Sequence, residues 1–436
     1  MRWAEEDKDK IWDKKRGNGK IDHLIEVAEA SLPFLLSNEE EILANHIGKL
    51  ISISEKTFFP IEFDLIQRIV EIAGERGNLS ELSMSLMEKL FSFGIETVNA
   101  LIQVGALSLI RDCYMSDHSI RSLALYALYE DHRNNVIIYD IPEIIQMIQT
   151  PRSSIRFGSL AKLGYSLFRS PFSCEEYQIT AFEYLQVLFG YWDTLSAYER
   201  QSFLKIIIRI FQNNNFSFDI YQNGMLKIIL ESALLDDEKY LMRIASLIIA
   251  ISSNNIPELN QFLIDNQSWD IIVRILLSNH TKAAAYAADA TFCLYQSSPI
   301  FFFEKAIWKV IIDIISEVPY RCIQSLEITL SYAIKNSSTD QIHPLIIEHS
   351  FFSSMYQRFY DITDPNCYDI IQTLGKLMEI SSYYQDQTLI NYIDTDQQFQ
   401  FWINSTYNQI INMSDYKSSI ISTIIEKWLL RPISIS

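Results

Sequence analysis

The sequence predicts an all-α protein, a right-handed α-solenoid of about ten helical repeats, and three observations carry that prediction. The first is a recurring helix start. It appears at Val104-Gly105-Ala106-Leu107, Asn223-Gly224-Met225-Leu226, Asn266-Gln267-Ser268-Trp269, Lys305-Ala306-Ile307-Trp308 and His349-Ser350-Phe351-Phe352. With Gly105, Gly224, Gln267, Ala306 and Ser350 taken as equivalent, the intervals are 119, 43, 39 and 44, and the first holds three units of about 40. The second is the scarcity of breakers, 12 Gly and 11 Pro in 436 residues, which favours long helices and short loops over sheets with tight turns. The third is composition: 48% hydrophobic against 21% charged residues is enough apolar surface for a continuous core.

The elements follow in order. Residues 1–20 carry seven Lys/Arg and five Asp/Glu, so this stretch is +2 while the rest of the chain is −20. Gly17-Asn18-Gly19 breaks any helix begun at Trp3, and 1–20 reads as a flexible charged tail. From Ile21, Leu24, Ile25, Ala28, Leu32, Leu35 and Leu36 recur at helical spacing, followed by Ile42, Leu43, Ile47, Leu50 and Ile51. Further units span 61–93, 99–134, 137–170 and 173–214, and others start near 217, 260, 301 and 342. The turns between them are rich in Asn and Ser, residues that stop one helix and cap the next: Asn213-Asn214-Asn215, Ser252-Ser253-Asn254-Asn255, Ser297-Ser298-Pro299 and Asn336-Ser337-Ser338. No interior linker stands out. The expected organisation is one elongated solenoid over 21–430 between the tail 1–20 and a short tail 431–436.

Several function classes are disfavoured. A net charge of −18 repels phosphate backbones, and no basic run in the sequence offsets it, so nucleic acid is not an expected partner. The scattered Cys113, Cys174, Cys293, Cys322 and Cys367 form no CxxC and suit a reducing compartment. The charged start Met1-Arg2-Trp3-Ala4-Glu5-Glu6-Asp7 is unlike a signal peptide. The most apolar stretch, Pro299 to Val318, is broken by Glu304, Lys305, Lys309, Asp313 and Glu317, so no membrane span is expected. These features point to a cytoplasmic, possibly nucleocytoplasmic, protein, with a monomer the simplest state. The seven His form no HExxH or paired metal spacing, Gly17-Asn18-Gly19-Lys20 lacks the spacer and Ser/Thr of a phosphate loop, and no GxSxG occurs. No metal, no cofactor and no enzymatic activity are therefore expected.

Residues 102–130 hold the most regular unit: Gly105, Leu107, Leu109, the turn Ser116-Asp117, then Ile120, Ala124, Ala127 and Leu128. This resembles the armadillo-repeat superfamily, with its Gly before the second helix, its Ser/Asp turn and a third helix bearing small residues where it crosses its neighbour. Ala124 lies 19 residues after Gly105, while Ala245 and Ala288 lie 21 after Gly224 and Gln267. Alanine suits such a crossing because close helix approach leaves no room for more. The resemblance covers most of 21–430, and units 301–338 and 342–384, which lack the Gly and the Ala, leave HEAT-type repeats open. It implies a concave face lined by third helices that holds a partner segment.

Importin-alpha-like nuclear import adaptors of this superfamily place Trp two residues, and Asn six residues, after the crossing position. Here those positions are Tyr126 and Glu130, Leu247 and Ile251, Ala290 and Leu294, and, from Ser159 and Leu326, Ala161 and Tyr165, and Ile328 and Tyr332. No Trp or Asn occupies them. Tyr126, Tyr129, Glu130, Tyr165 and Tyr332 are the groove candidates this alignment gives, since Tyr offers large, stiff contact area with a hydroxyl. A second candidate patch lies in 340–415, which carries ten Asp/Glu, two basic residues and 13 aromatics. Asp394, Asp396 and Trp402 are its representatives, suited to cation and cation–π contacts. The expected function is that of a non-enzymatic protein-binding scaffold or adaptor for a basic or mixed basic/apolar segment. A divergent nuclear import adaptor, or a cochaperone or ubiquitin-pathway accessory on the same fold, are the alternatives.

Overall fold

The computed structural model describes residues 20–75, 77–114, 116–149, 155–213, 217–234, 237–315, 317–341, 365–384, 391, 395, 397–410 and 416–429. Among them the chain is an all-α solenoid with no strand. It divides into two compact units, Met1–Ser217 and Phe218–Ser436.

In unit 1 the helices are α1 (Lys20–Ser31), α2 (Glu40–Ser54), α3 (Phe63–Gly74), α4 (Asn78–Leu90), α5 (Ile95–Gln103), α6 (Ala106–Asp112), α7 (Asp117–Tyr126), α8 (Glu130–Asn135), α9 (Ile141–Ile148), α10 (Phe157–Leu167), α11 (Glu175–Phe189) and α12 (Ala197–Gln212). The last helices of successive repeats, α2, α4, α7, α10 and α12, pack side by side as a ladder, each against the next. In unit 2 the helices are α13 (Ser217–Gln222), α14 (Met225–Glu231), α15 (Glu238–Ser252), α16 (Pro257–Asp265), α17 (Ser268–Leu276), α18 (Thr281–Ser297), α19 (Pro299–Glu304), α20 (Ile307–Ile314), α21 (Tyr320–Asn336), α22 (Pro365–Tyr383), α23 (Gln397–Ile410) and α24 (Tyr416–Leu429). Here α15, α18, α21, α22 and α24 form the equivalent ladder.

The recurring start has a backbone cause. Gly105, Gly224, Gln267 and Ala306 take left-handed conformations, with φ of +89°, +72°, +53° and +50°, and each immediately precedes the second helix of its repeat. The first two use glycine, for which this conformation is free of steric cost, while Gln267 and Ala306 adopt it against their Cβ. Ser350, the fifth member of the series, lies outside the described residues. The crossing residues are core: Ala124, Ala245 and Ala288 are all buried. On α18, Ala283, Ala284, Ala287, Ala288 and Ala290 are buried together, so this helix sits close to both neighbours, α15 and α21.

Polar side chains tie consecutive repeats by capping each other's carbonyls. Buried Arg133 donates to the Ser170 and Pro171 carbonyls at 2.7 Å each, beside the ring of Phe172. Asn213 Nδ2 donates to Phe168 O at 2.8 Å, and Tyr191 Oη to Ile148 O at 2.6 Å. In unit 2, Arg274 donates to Ala233 O, and Lys376 Nζ donates to Ile334 O, Lys335 O and Ser337 O at 2.7, 2.7 and 2.9 Å. Helix C-termini leave carbonyls without intrahelical partners, and a side chain from the adjoining repeat supplies the missing donors. These links span 37 to 45 residues of sequence, so the period of the chain reappears in its hydrogen bonds.

Two further clusters fix unit 1. Glu88 Oε2 accepts from Arg121 at 3.0 Å and lies 2.7 Å from His118 Nδ1, joining α4 to α7. Burial pushes the Glu88 carboxyl upward, but its bonds and charges from His118 and Arg121 outweigh that and hold it below its ordinary value. Buried Asp140 accepts from Arg111 Nε at 2.8 Å and from the Tyr114 hydroxyl.

Candidate functional site

The ladder helices in the middle of each unit are buried on all sides except one stripe. On α10, Phe157, Ser159, Leu160, Ala161, Leu163, Gly164, Ser166 and Leu167 are buried, which leaves Gly158, Lys162 and Tyr165, continued by Arg169 just past the helix. Positions 158, 162, 165 and 169 are spaced by four, three and four, one line along a helix. On α12 the same spacing leaves Tyr198, Ser202, Lys205, Arg209 and Gln212 unburied. On α7 the line is His118, Arg121, Leu125 and Leu128. Because these helices pack side by side, their stripes adjoin. Arg209 lies over the Tyr165 ring at 5.9 Å, and Arg169 reaches Leu128 O at 3.5 Å, each linking one stripe to the next.

The part of the unit 1 face formed by α10 and α12 is basic, although the chain as a whole carries −18. Lys162 and Lys205 are exposed, Arg169 and Arg209 half-buried. Arg121 is tied to Glu88, and Asp117 accepts from Arg156 Nε at 3.0 Å. The carboxylates of α7 and α12, Asp117 and Glu199, both sit in the first turn, and Glu199 completes a capping box with Ser196. α10 has no acidic residue. The absence of a basic run in the sequence therefore did not mean the absence of a basic patch. The cations come from helices about 40 residues apart and meet only through the ladder.

The unit 2 face differs. On α15 the unburied line includes Met242, Ser246 and Ile249. On α18 it includes Asp289, Phe292 and Cys293, and on α21 Ser325, Ile328 and Tyr332. The Phe292 and Tyr332 rings meet edge to face at 5.4 Å, and Ser325 Oγ donates to Asp289 Oδ1 at 2.9 Å. Desolvation by the neighbouring helices holds the Asp289 carboxyl above its ordinary value, with the Ser325 hydrogen bond acting the other way.

The residues singled out from sequence fall in three groups. Tyr165 and Tyr332 lie on the exposed stripes, 38% and 43% accessible, and Glu130 is exposed beyond the end of α7, with half-buried Tyr129 beside it. Tyr126 does not line a groove: it is 3% accessible, stacked on His132 at 4.4 Å, and burial raises its phenol pKa against a hydrogen bond from Asn135. Leu247, Ile251, Ala290, Leu294 and Ala161 are likewise core. In the repeats of Ala124, Ala245 and Ala288, the exposed line runs one and four residues after the crossing alanine, through Leu125 and Leu128, Ser246 and Ile249, and Asp289 and Phe292. At about 100° per residue, a position two after the crossing turns back into the packed side. Asp394 and Asp396 lie outside the described residues, and Trp402 belongs to α23 without a described side chain. Lys162, Arg169, Lys205, Arg209, Ile249, Asp289 and Phe292 were missed. For the four cations the available signal was their i, i+3/i+4 spacing on helices lacking acids beyond their first turn.

No group of three or more His, Cys, Asp or Glu placed to hold a metal occurs among the described residues. No described helix is long and apolar enough to cross a membrane. No family model matches the chain, and no curated protein matches it. Among solved structures, an engineered protein superposes with a TM-score of 0.63 at 11% identity, covering 92% of this chain and 98% of its own. That likeness shows the helical-repeat fold and nothing about partners. A designed armadillo repeat protein covers 61% of this chain and 98% of its own at 15% identity, with a TM-score of only 0.33.

Proposed function

We propose that the protein is a non-enzymatic, armadillo-like scaffold or adaptor that holds a segment of a partner protein along the exposed stripes of its ladder helices. The observation that carries this reading is the set of incompletely buried apolar side chains on three successive repeats of unit 2: half-buried Ile249 and Phe292, and exposed Ile328 and Tyr332. Apolar side chains left partly in water on adjoining helices mark a contact surface more than a packing remainder. Adjoining helices lie about 8–10 Å apart. An extended chain rises about 3.3 Å per residue, so a segment crossing the ladder meets one helix every third residue. Apolar anchors at that spacing, with a Lys or Arg near Asp289, describe a mixed basic/apolar segment.

The test is affinity capture from a lysate with the full chain and with Phe292→Ala/Tyr332→Ala. The reading expects a reproducible partner lost in the variant, with Tm held. Capture of the same partners by both proteins at equal yield overturns it. The partner's identity also separates the two alternatives: a nuclear import complex would recast the protein as a divergent import adaptor, and a chaperone or ligase subunit as an accessory of that pathway.

A further inference from the structure

We propose that the ladder face of unit 1 binds an extended acidic protein segment, with carboxylates seated on Lys162, Arg169, Lys205 and Arg209 around the ring of Tyr165. This rests on the reading that ladder faces are where partners dock, and it gives unit 1 a partner opposite in charge to the one the net charge suggests.

The argument starts from what the cations are not doing. Among the described residues, no carboxylate pairs with Lys162, Arg169 or Arg209. Arg169 spends its nearest bond on the Leu128 carbonyl at 3.5 Å, and Arg209 on Gln212 at 3.4 Å. Elsewhere in unit 1 the arginines that serve structure are committed: Arg111 to Asp140, Arg121 to Glu88, Arg133 to two carbonyls. Lys162, Arg169 and Arg209, on one face of a chain with 54 acidic residues to supply partners, are left without that compensation among the described residues.

The dimensions fit an extended chain. Lys162 and Arg169 are seven residues apart on one helical line, about 10 Å at 1.5 Å per residue. Lys205 and Arg209 lie on the next helix, about 8–10 Å away. A segment crossing from α10 to α12 therefore brings an acidic residue to this patch at every third position. Tyr165 at the centre presents a ring already faced by Arg209 at 5.9 Å, and its hydroxyl is available to a carboxylate or backbone group. A protein segment is favoured over nucleic acid because the patch spans two helices of an otherwise acidic chain. A long polyanion runs off it into repulsion, whereas a short acidic segment does not.

The probe is a fluorescein-labelled peptide of about 12 residues with Glu at every third position and Ala, Ser and one Leu between, read by fluorescence anisotropy with the full chain. Its controls are the same peptide with Lys for Glu and a single-stranded oligothymidylate of matching length. The Glu peptide should bind, weaken as salt rises, and lose about tenfold in Kd with Lys162→Glu/Lys205→Glu. Lys162→Gln/Lys205→Gln should lose less, which guards against a misfolded charge-reversal variant. Phe292→Ala/Tyr332→Ala should leave this binding unchanged, so failure here is distinguishable from failure of the unit 2 reading. No binding of the Glu peptide, equal binding of the Lys peptide, tighter binding of the oligothymidylate, or indifference to both unit 1 variants overturns the proposal.

Discussion

The left-handed residue before the second helix of four repeats makes a two-way stability prediction. At Gly105 and Gly224, with φ of +89° and +72°, an added Cβ meets no atom within 4 Å. Gly105→Ala and Gly224→Ala therefore incur no clash and carry only the conformational cost of an L-residue in this region, about 1–2 kcal/mol less the entropy that Ala saves in the unfolded chain. Each should destabilise by about 1 kcal/mol. Gln267 and Ala306 adopt the same conformation without glycine's freedom, at φ of +53° and +50°, so Gln267→Gly and Ala306→Gly should stabilise by about 0.5–1 kcal/mol. The two gains should add, because the sites lie on consecutive repeats without shared partners. The assay is a thermal melt by circular dichroism, supported by urea unfolding. One kcal/mol corresponds to about 2–4 °C for a unit of this size. A neutral Gly105→Ala together with a destabilising Ala306→Gly would refute the reasoning, since it would mean that the backbone at these positions is not left-handed.

Other predictions follow from single contacts. Arg133→Met should cost about 3 kcal/mol, because it strips the donors from the Ser170 and Pro171 carbonyls in a buried setting; chemical denaturation of the variant checks it. A Cβ at Gly164 would lie 2.8 Å from Ile206 Cδ1 and 3.5 Å from Tyr184 Cε1. Gly164→Ala should therefore cost about 1 kcal/mol alone, yet stabilise by about 0.5–1 kcal/mol in an Ile206→Val background that removes the obstructing methyl. On acidification, His132, whose pKa is lowered by burial, and Glu88, held low by His118 and Arg121, both bind protons more readily unfolded. Stability should fall as the pH drops below about 6.5 and again below about 4.5, and Glu88→Gln should flatten the second step in a pH series of melts.

Much of the fold was legible, and the reason is local. The helix starts at Gly105, Gly224, Gln267 and Ala306 repeat because those repeats place one left-handed residue in the same position, and sequence equivalence picked out Gln267 and Ala306 even though neither is glycine. The crossing alanines were legible because close approach excludes larger side chains. The exposed stripe was read less well, because a shift of one residue on a helix rotates a side chain by about 100°. That error placed Tyr126 in a groove when it is core, and passed over Ile249 and Phe292. The basic patch was invisible to net charge because Lys162, Arg169, Lys205 and Arg209 converge only through the packing of α10 on α12. The expectation for 340–415 has no structural counterpart for Asp394 and Asp396, which lie outside the described residues.

The central claim is that the uncovered stripes of the ladder helices are the working surface. Site-specific photo-crosslinking tests it most directly, with a photoreactive phenylalanine analogue placed at Tyr332 or Tyr165 on the stripes, or at Ile228 on α14 or Ile179 on α11 as exposed comparison positions. The account predicts partner adducts from Tyr332 and Tyr165 and none from Ile228 and Ile179. Adducts confined to Ile228 and Ile179 would place the partner on the other helices and contradict it.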